Sequence, residues 1–168
     1  MKKTSLSNKR TRSSTPLIIR SVSPAETQAV GYAFGEMLCS YAPRNDAVPL
    51  VIFLRGDLGA GKTTFVQAAA KALAARGKVK SPTFIIARIH RIMADHYDSL
   101  IHIDAYRLSA GDRPLGEFFH ALLSRPRSII FIEWPDAVQP HLSRTNRITI
   151  TFRIIGESER RITMRAST

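Results

Sequence analysis

Hydrophobic positions fall into short blocks rather than one long repeat. Leu50–Leu54 is a continuous apolar run, the pattern of a parallel strand buried on both faces. Ile129–Ile132 repeats it and ends on Glu133, and the shorter Leu100–Ile103 stretch ends on Asp104. Arg147–Ile155 alternates instead, with Ile148, Ile150, Phe152 and Ile154 on one face. Arg160–Arg165 is placed to pair with it through a turn at Gly156. Leu17–Ser21 reads as a further strand, and Thr83–Ile92 as another after the Ser81-Pro82 break.

Helices are marked by their ends. Ser23, Pro24 and Glu26 form a capping-box pattern and predict a helix from there to about Ser40. An Ala-rich helix follows the glycine-rich segment after Leu54 and runs to about Ala75, before Gly77. Leu115–Leu123 is the third helix, and Pro43–Pro49 is a loop. Strand, glycine loop and helix, followed by more buried strands, predict an α/β three-layer P-loop NTPase fold. The central sheet is expected to be mostly parallel, with antiparallel edge strands at the C-terminus.

The glycine loop carries the chemistry. Gly56-Asp57-Leu58-Gly59-Ala60-Gly61-Lys62-Thr63 matches G-x-x-x-x-G-K-[ST]. Glycines let the backbone curl so that successive N–H groups face a phosphate. The following helix adds the positive end of its dipole. Lys62 is then a point charge for the β- and γ-phosphates, and the Thr63 hydroxyl a Mg2+ ligand. The C-terminal ends of parallel strands lie beside such a loop, so Glu133 is the candidate second acid. It could hold Mg2+ directly or through water, or orient an attacking water. Asp104 could bind a metal water or position the nucleophile, the alternative being a turn cap. Arg107 could pair with Asp104 or meet a phosphate. His102, between two isoleucines, is expected to face away from their side as a structural residue rather than a base. Thr83 could touch a γ-phosphate or merely start a strand, and Trp134 could stack on a ligand or pack.

Charge adds a second theme. The 168 residues carry +12, and Lys2, Lys3, Lys9, Arg10 and Arg12 lie in a first segment without acids. Residues 1–16 read as a disordered basic arm and 17–168 as one domain. Removing the arm's five cations leaves about +7, to which Arg20, Arg144, Arg147, Arg153, Arg160, Arg161 and Arg165 contribute. Such a surface suits an anionic partner such as RNA, or simply aids solubility. A single cysteine, Cys39, excludes an intrachain disulfide and suits a reducing cytoplasm. No apolar run approaches the roughly 18 residues of a membrane span.

In chain order, GDLGAGKTTF (Gly56–Phe65), VKSPTF (Val79–Phe84), HIDAYRL (His102–Leu108) and IEWPD (Ile132–Asp136) closely resemble the TsaE (YjeE) family. The resemblance runs from about Leu17 to Arg165. It implies a cytoplasmic ATPase of tRNA threonylcarbamoyladenosine (t6A) synthesis that binds ATP and Mg2+ and joins the proteins TsaB and TsaD. In that family TsaD performs the transfer to tRNA, so this chain would meet tRNA indirectly. ATP hydrolysis, weak alone and stronger in the complex, supports repeated turnover.

By resemblance, Gly59, Ala60, Gly61, Lys62, Thr63 and Thr64 are phosphate-loop positions, and Thr63 and Glu133 are magnesium positions. Asp104 is an acid of hydrolysis, Ser81-Pro82-Thr83 a switch-like segment, and Trp134 a site-flanking tryptophan. One stretch departs from the family. Ser109–Gly116 replaces an acidic D-P-E-E-L-E helix start, so a partner contact through those acids is not carried over. Two rival readings are a small-molecule P-loop kinase, with arginines such as Arg88, Arg91, Arg107 and Arg113 in a lid, and an RNA-binding adaptor with a degenerate loop.

Overall fold

The computed structural model describes residues 15–43, 45, 47–82, 86–108, 113–139 and 146–167. The strands are β1 (Leu17–Ser21), β2 (Leu50–Arg55), β3 (Ala87–Arg91), β4 (Ser99–Asp104), β5 (Ser128–Glu133), β6 (Asn146–Ile154) and β7 (Arg160–Ser167). The helices are α1 (Pro24–Cys39), α2 (Lys62–Ala72) and α3 (Arg113–Leu123), with a 3-10 turn at Pro135–Ala137.

The capping pattern forms with its return bond shifted one residue, to Val22 instead of the cap Ser23. Ser23 Oγ accepts from the Glu26 N–H at 3.2 Å, and the Glu26 carboxylate accepts from the Val22 N–H at 2.9 Å. At the other end of α2 the sequence points to Gly77, but Ala74 takes the left-handed position with φ 49°. Ala75 N–H then reaches the Ala70 carbonyl and Ala74 N–H that of Lys71, a Schellman closure that ends α2 at Ala72.

One seven-stranded sheet has the order β1-β7-β6-β2-β5-β4-β3. It is mixed, and this corrects the mostly parallel sheet expected from the sequence. Three neighbour pairs, β6/β2, β2/β5 and β5/β4, are parallel. The other three, β1/β7, β7/β6 and β4/β3, are antiparallel. Connection length explains the difference. Parallel neighbours need a crossover of a dozen or more residues. The links Ile92–Asp98 and Ile155–Glu159 are too short for that, so β3/β4 and β6/β7 fold back on themselves. The antiparallel pairs therefore occupy both flanks of the sheet, not only its C-terminal strands. Of the strand expected over Thr83–Ile92, the regular part is Ala87–Arg91. Thr83, Phe84 and Ile85 lie outside the described residues, and Ile86 turns out of the extended region with φ 67°.

Two cores sandwich the sheet's middle. α1 and α2 cover one face with Phe34, Leu38, Phe65, Val66 and Ala69 against Ile52, Leu54, Phe131, Ile150 and Phe152. α3 covers the other with Phe119 and Leu122 against Val51, Phe53, Ile101, Ile103, Ile130 and Ile132. α1 approaches α2 backbone to backbone. A Cβ at Gly31 would lie 2.6 Å from the Phe65 carbonyl oxygen, and one at Gly35 2.5 Å from that of Ala69. These glycines fix the height of α2, and with it the first turn, where Lys62 and Thr63 sit.

Candidate functional site

β2 hands the chain directly to the glycine loop. Gly59 and Gly61 have φ of 74° and 98°, a region that favours glycine, and Gly61 caps α2 from there. Gly56, Asp57, Leu58, Gly59 and Ala60 complete the turn, with Ala60 buried and its N–H bonded to the Asp57 carbonyl at 3.2 Å. From β7, Arg160 braces the loop by donating to the Gly59 carbonyl at 3.2 Å. The result is a cleft of about 290 Å³, lined by Leu58–Thr64 together with Ser81, Asp104, Tyr106, Arg107, Glu133 and Trp134.

Lys62 is buried, 4% exposed. Its Nζ donates to the Gly56 and Asp57 carbonyls at 2.7 and 2.8 Å. An ammonium has three donors, so two carbonyls leave one for a further acceptor. Burial lowers the Lys62 pKa below the ordinary lysine value, while the charges of Glu133, Asp104 and Asp57 pull it back up.

The acids converge by strand register. Leu54, Glu133 and Asp104 end three adjacent parallel strands, with Leu54 opposite Glu133 and Glu133 opposite Asp104. Alternation turns Ile101, Ile103, Ile130 and Ile132 toward α3, and His102, Asp104, Phe131 and Glu133 toward α2. Glu133 is 3% exposed, and its Oε1 accepts from Thr63 Oγ1 at 2.8 Å. The same oxygen lies 2.9 Å from His102 Nε2. An ionised carboxylate only accepts, so Nε2 carries the hydrogen. His102 Nδ1 is buried and has no hydrogen-bond partner among the described residues. Asp104 is buried as well, and its Oδ1 accepts from the Tyr106 N–H at 3.1 Å.

Trp134 takes the left-handed region, φ 56°, directly after Glu133. Its ring lies beneath the Lys62 ammonium, 4.1 Å from Nζ to centroid, and against Tyr106 at 5.1 Å. Strained non-glycine backbone of this kind costs on the order of 1–3 kcal/mol and collects at functional sites.

The structure thus brings together Gly56, Asp57, Leu58, Gly59, Ala60, Gly61, Lys62, Thr63, Thr64, Asp104, Glu133 and Trp134. Of the expected site residues, Thr83 lies outside the described ones. His102 is the structural residue expected, and it is bonded to a site acid. It does face away from the isoleucines' side, and that side change points it at Glu133. The signal was the period-2 alternation His102-Ile103-Asp104, which puts the imidazole on the same face as the acid. Tyr106 was passed over, although its place two residues after Asp104 follows from the turn that Asp104 caps.

Fold and site together define a mixed α/β protein built on a strand–glycine loop–helix unit, with two carboxylates at the neighbouring strand ends. A family model described as "Threonylcarbamoyl adenosine biosynthesis protein TsaE" matches residues 21–162, and the chain belongs to that family. The tRNA threonylcarbamoyladenosine biosynthesis protein TsaE of Bacillus subtilis is 34% identical over 149 residues, 88% of this chain and 84% of that protein. The protein of the same name from Streptomyces coelicolor is 37% identical over 108 residues, 64% of this chain and 72% of its own. A crystal structure of Bacillus subtilis YdiB superposes with a TM-score of 0.66 at 30% identity, covering 92% of this chain and 87% of that one. Among the described residues, no helix is long and apolar enough to cross a membrane.

Proposed function

We propose that this chain is an ATPase of the P-loop NTPase fold that binds Mg-ATP in the glycine-loop cleft. On this reading it serves t6A synthesis on tRNA in the cytoplasm by acting on a transferase made of TsaB and TsaD. The family supports the pathway. The observation that carries the chemistry is the 2.8 Å contact between Thr63 and Glu133 at the mouth of the loop.

The residues fit both ligands. Loop amides and the third Lys62 donor suit a polyphosphate, and the left-handed glycines leave the backbone open to close approach. The Thr63 hydroxyl and the Glu133 carboxylate are hard oxygen donors of the kind Mg2+ prefers, and they would hold it. Bound there, the ion would supply positive charge to offset that of the polyphosphate.

The chain's own groups do the rest. The loop N–H groups and α2's N-terminus bind phosphate oxygens, and Lys62 offsets charge that grows on the bridging oxygen as its bond to the γ-phosphorus breaks. Asp104 orients water for in-line attack, so that oxygen from water joins inorganic phosphate and ADP leaves. His102 holds the Glu133 carboxylate in place from behind.

The test is the ATP hydrolysis rate of the purified chain alone and with TsaB and TsaD. The expected result is a low basal rate raised by the partners together. Equal rates with and without them would remove the partnership, and no hydrolysis under either condition would remove the ATPase.

A further inference from the structure

The flank of the sheet that α3 does not reach carries a row of arginines. β6, β7 and β1 turn Ile148, Ile150, Phe152, Ile162 and Ile19 toward α1 and α2. Alternation therefore sends Arg147, Thr149, Thr151, Arg153, Arg161, Thr163, Arg165, Ile18 and Arg20 to the opposite face. Among the described residues no helix covers it there, since the α3 core is built on β2, β4 and β5.

Register sharpens the pattern. Arg153 stands opposite Arg161, and Arg161 opposite Arg20, so three guanidinium side chains sit side by side across three antiparallel strands. Neighbouring strands are about 4.8 Å apart. Arg165 follows four residues on along β7, on the same face and opposite Thr149. All four arginines are exposed. Like charges directly opposite each other destabilise a sheet. One acid answers them: Glu159 in the β6–β7 turn bonds Arg20 at 2.7 Å, with both side chains open to solvent. Its neighbour Glu157 lies in the same turn. Arg153, Arg161 and Arg165 make no ion pair among the described residues. Asp136 beside this face is already taken by Arg55.

We propose that this face binds the phosphate backbone of a structured RNA directly. The guanidinium fork matches phosphate in two-point fashion, and arginine and threonine are standard phosphate donors. An acidic protein partner is the poorer fit. Protein interfaces are anchored by buried aromatic and large apolar groups, and here Ile18 is the one strongly exposed apolar side chain among the residues of this face. The arrangement reads backbone rather than sequence. It goes beyond the nucleotide reading, which uses neither Arg20, Arg153 nor Arg161.

The experiment is fluorescence anisotropy with a labelled full-length tRNA transcript and the full chain, from about 50 to 200 mM salt. The variants are the triple Arg20→Gln, Arg153→Gln, Arg161→Gln, the matching triple to lysine, Lys62→Ala, and the chain without residues 1–14. The proposal expects the glutamine triple to weaken binding at least tenfold and to flatten the salt slope by about 3, one for each lost phosphate contact. The lysine triple should retain most of both, which separates lost charge from lost folding. Lys62→Ala should bind tRNA like the parent, so failure of the nucleotide reading leaves this result intact. An unchanged slope in the glutamine triple would overturn the proposal. So would binding that depends only on residues 1–14, or poly-glutamate binding as tightly as tRNA, which would point to an acidic protein.

Discussion

Thr63 and Glu133 stand 70 positions apart in the chain and meet through a 2.8 Å hydrogen bond. The contact joins the first turn of α2 to the end of β5 and places a hydroxyl and a carboxylate at the mouth of one cleft. Replacing Glu133 with glutamine keeps its size but removes the charge that a divalent ion needs. Glu133→Gln is expected to retain measurable ATP binding and to lose roughly 100-fold or more of Mg2+-dependent hydrolysis. Phosphate release at the parental rate would take Glu133 out of the mechanism.

His102 acts on the same carboxylate from the buried side. Groups that orient a metal ligand typically change metal affinity by about 10–100-fold when removed. His102→Ala is therefore expected to raise the Mg2+ concentration at half-maximal hydrolysis by that factor, with the folded chain intact by circular dichroism. His102→Gln, which keeps a donor, should recover part of the loss. A variant that unfolds more readily yet needs no more Mg2+ would make His102 a packing residue only.

Trp134 is the only tryptophan and lies 4.1 Å under the Lys62 ammonium. A polyphosphate competes with the ring for that charge. ATP titration is expected to change tryptophan emission, and Trp134→Phe to bind ATP without the signal. Emission that stays constant while calorimetry records saturation would contradict the coupling of Lys62 to the ligand.

Two backbone positions make opposite stability predictions. Gly31→Ala drives a Cβ to 2.6 Å from the Phe65 carbonyl, a backbone atom that cannot swing away. It should destabilise the fold by about 1–3 kcal/mol in thermal or denaturant unfolding, even though alanine favours helix more than glycine. Ala74 has the reverse problem, a Cβ at φ 49°. Ala74→Gly should raise stability by roughly 0.5–1 kcal/mol, because relief of left-handed strain exceeds the added chain entropy. A loss of stability in Ala74→Gly would mean the closure of α2 is not strained there.

Much of this arrangement is legible in the residues themselves. The unbroken Leu50–Leu54 run marks a central strand, and Ser23, Pro24 and Glu26 set the start of α1. The glycine spacing Gly56–Gly61 defines the loop, and apolar runs ending on Glu133 and Asp104 identify the two acids. Other features depend on chain direction and tertiary contacts. The short Ile92–Asp98 link reverses β3 against β4, and that reversal is hidden when each apolar run is read alone. Ala74 at a left-handed cap and Ile86 at φ 67° violate local preference; Ala74 closes the local bonds that end α2, and Ile86 is held by a long-range bond from the Asp104 N–H to its carbonyl at 3.0 Å. The partner of His102 is hidden in the sequence because Glu133 lies on a different strand. The row Arg153–Arg161–Arg20 appears only once the register of three strands is known.

The measurement closest to the central claim is calorimetric titration of the full chain with ATP in the presence of Mg2+, beside Lys62→Ala. A buried ammonium with charge-assisted bonds to phosphate contributes about 1.5–3 kcal/mol. The account predicts saturable binding at one site in the parent and affinity lower by roughly 100-fold in the variant. Equal affinities in the two proteins would contradict it.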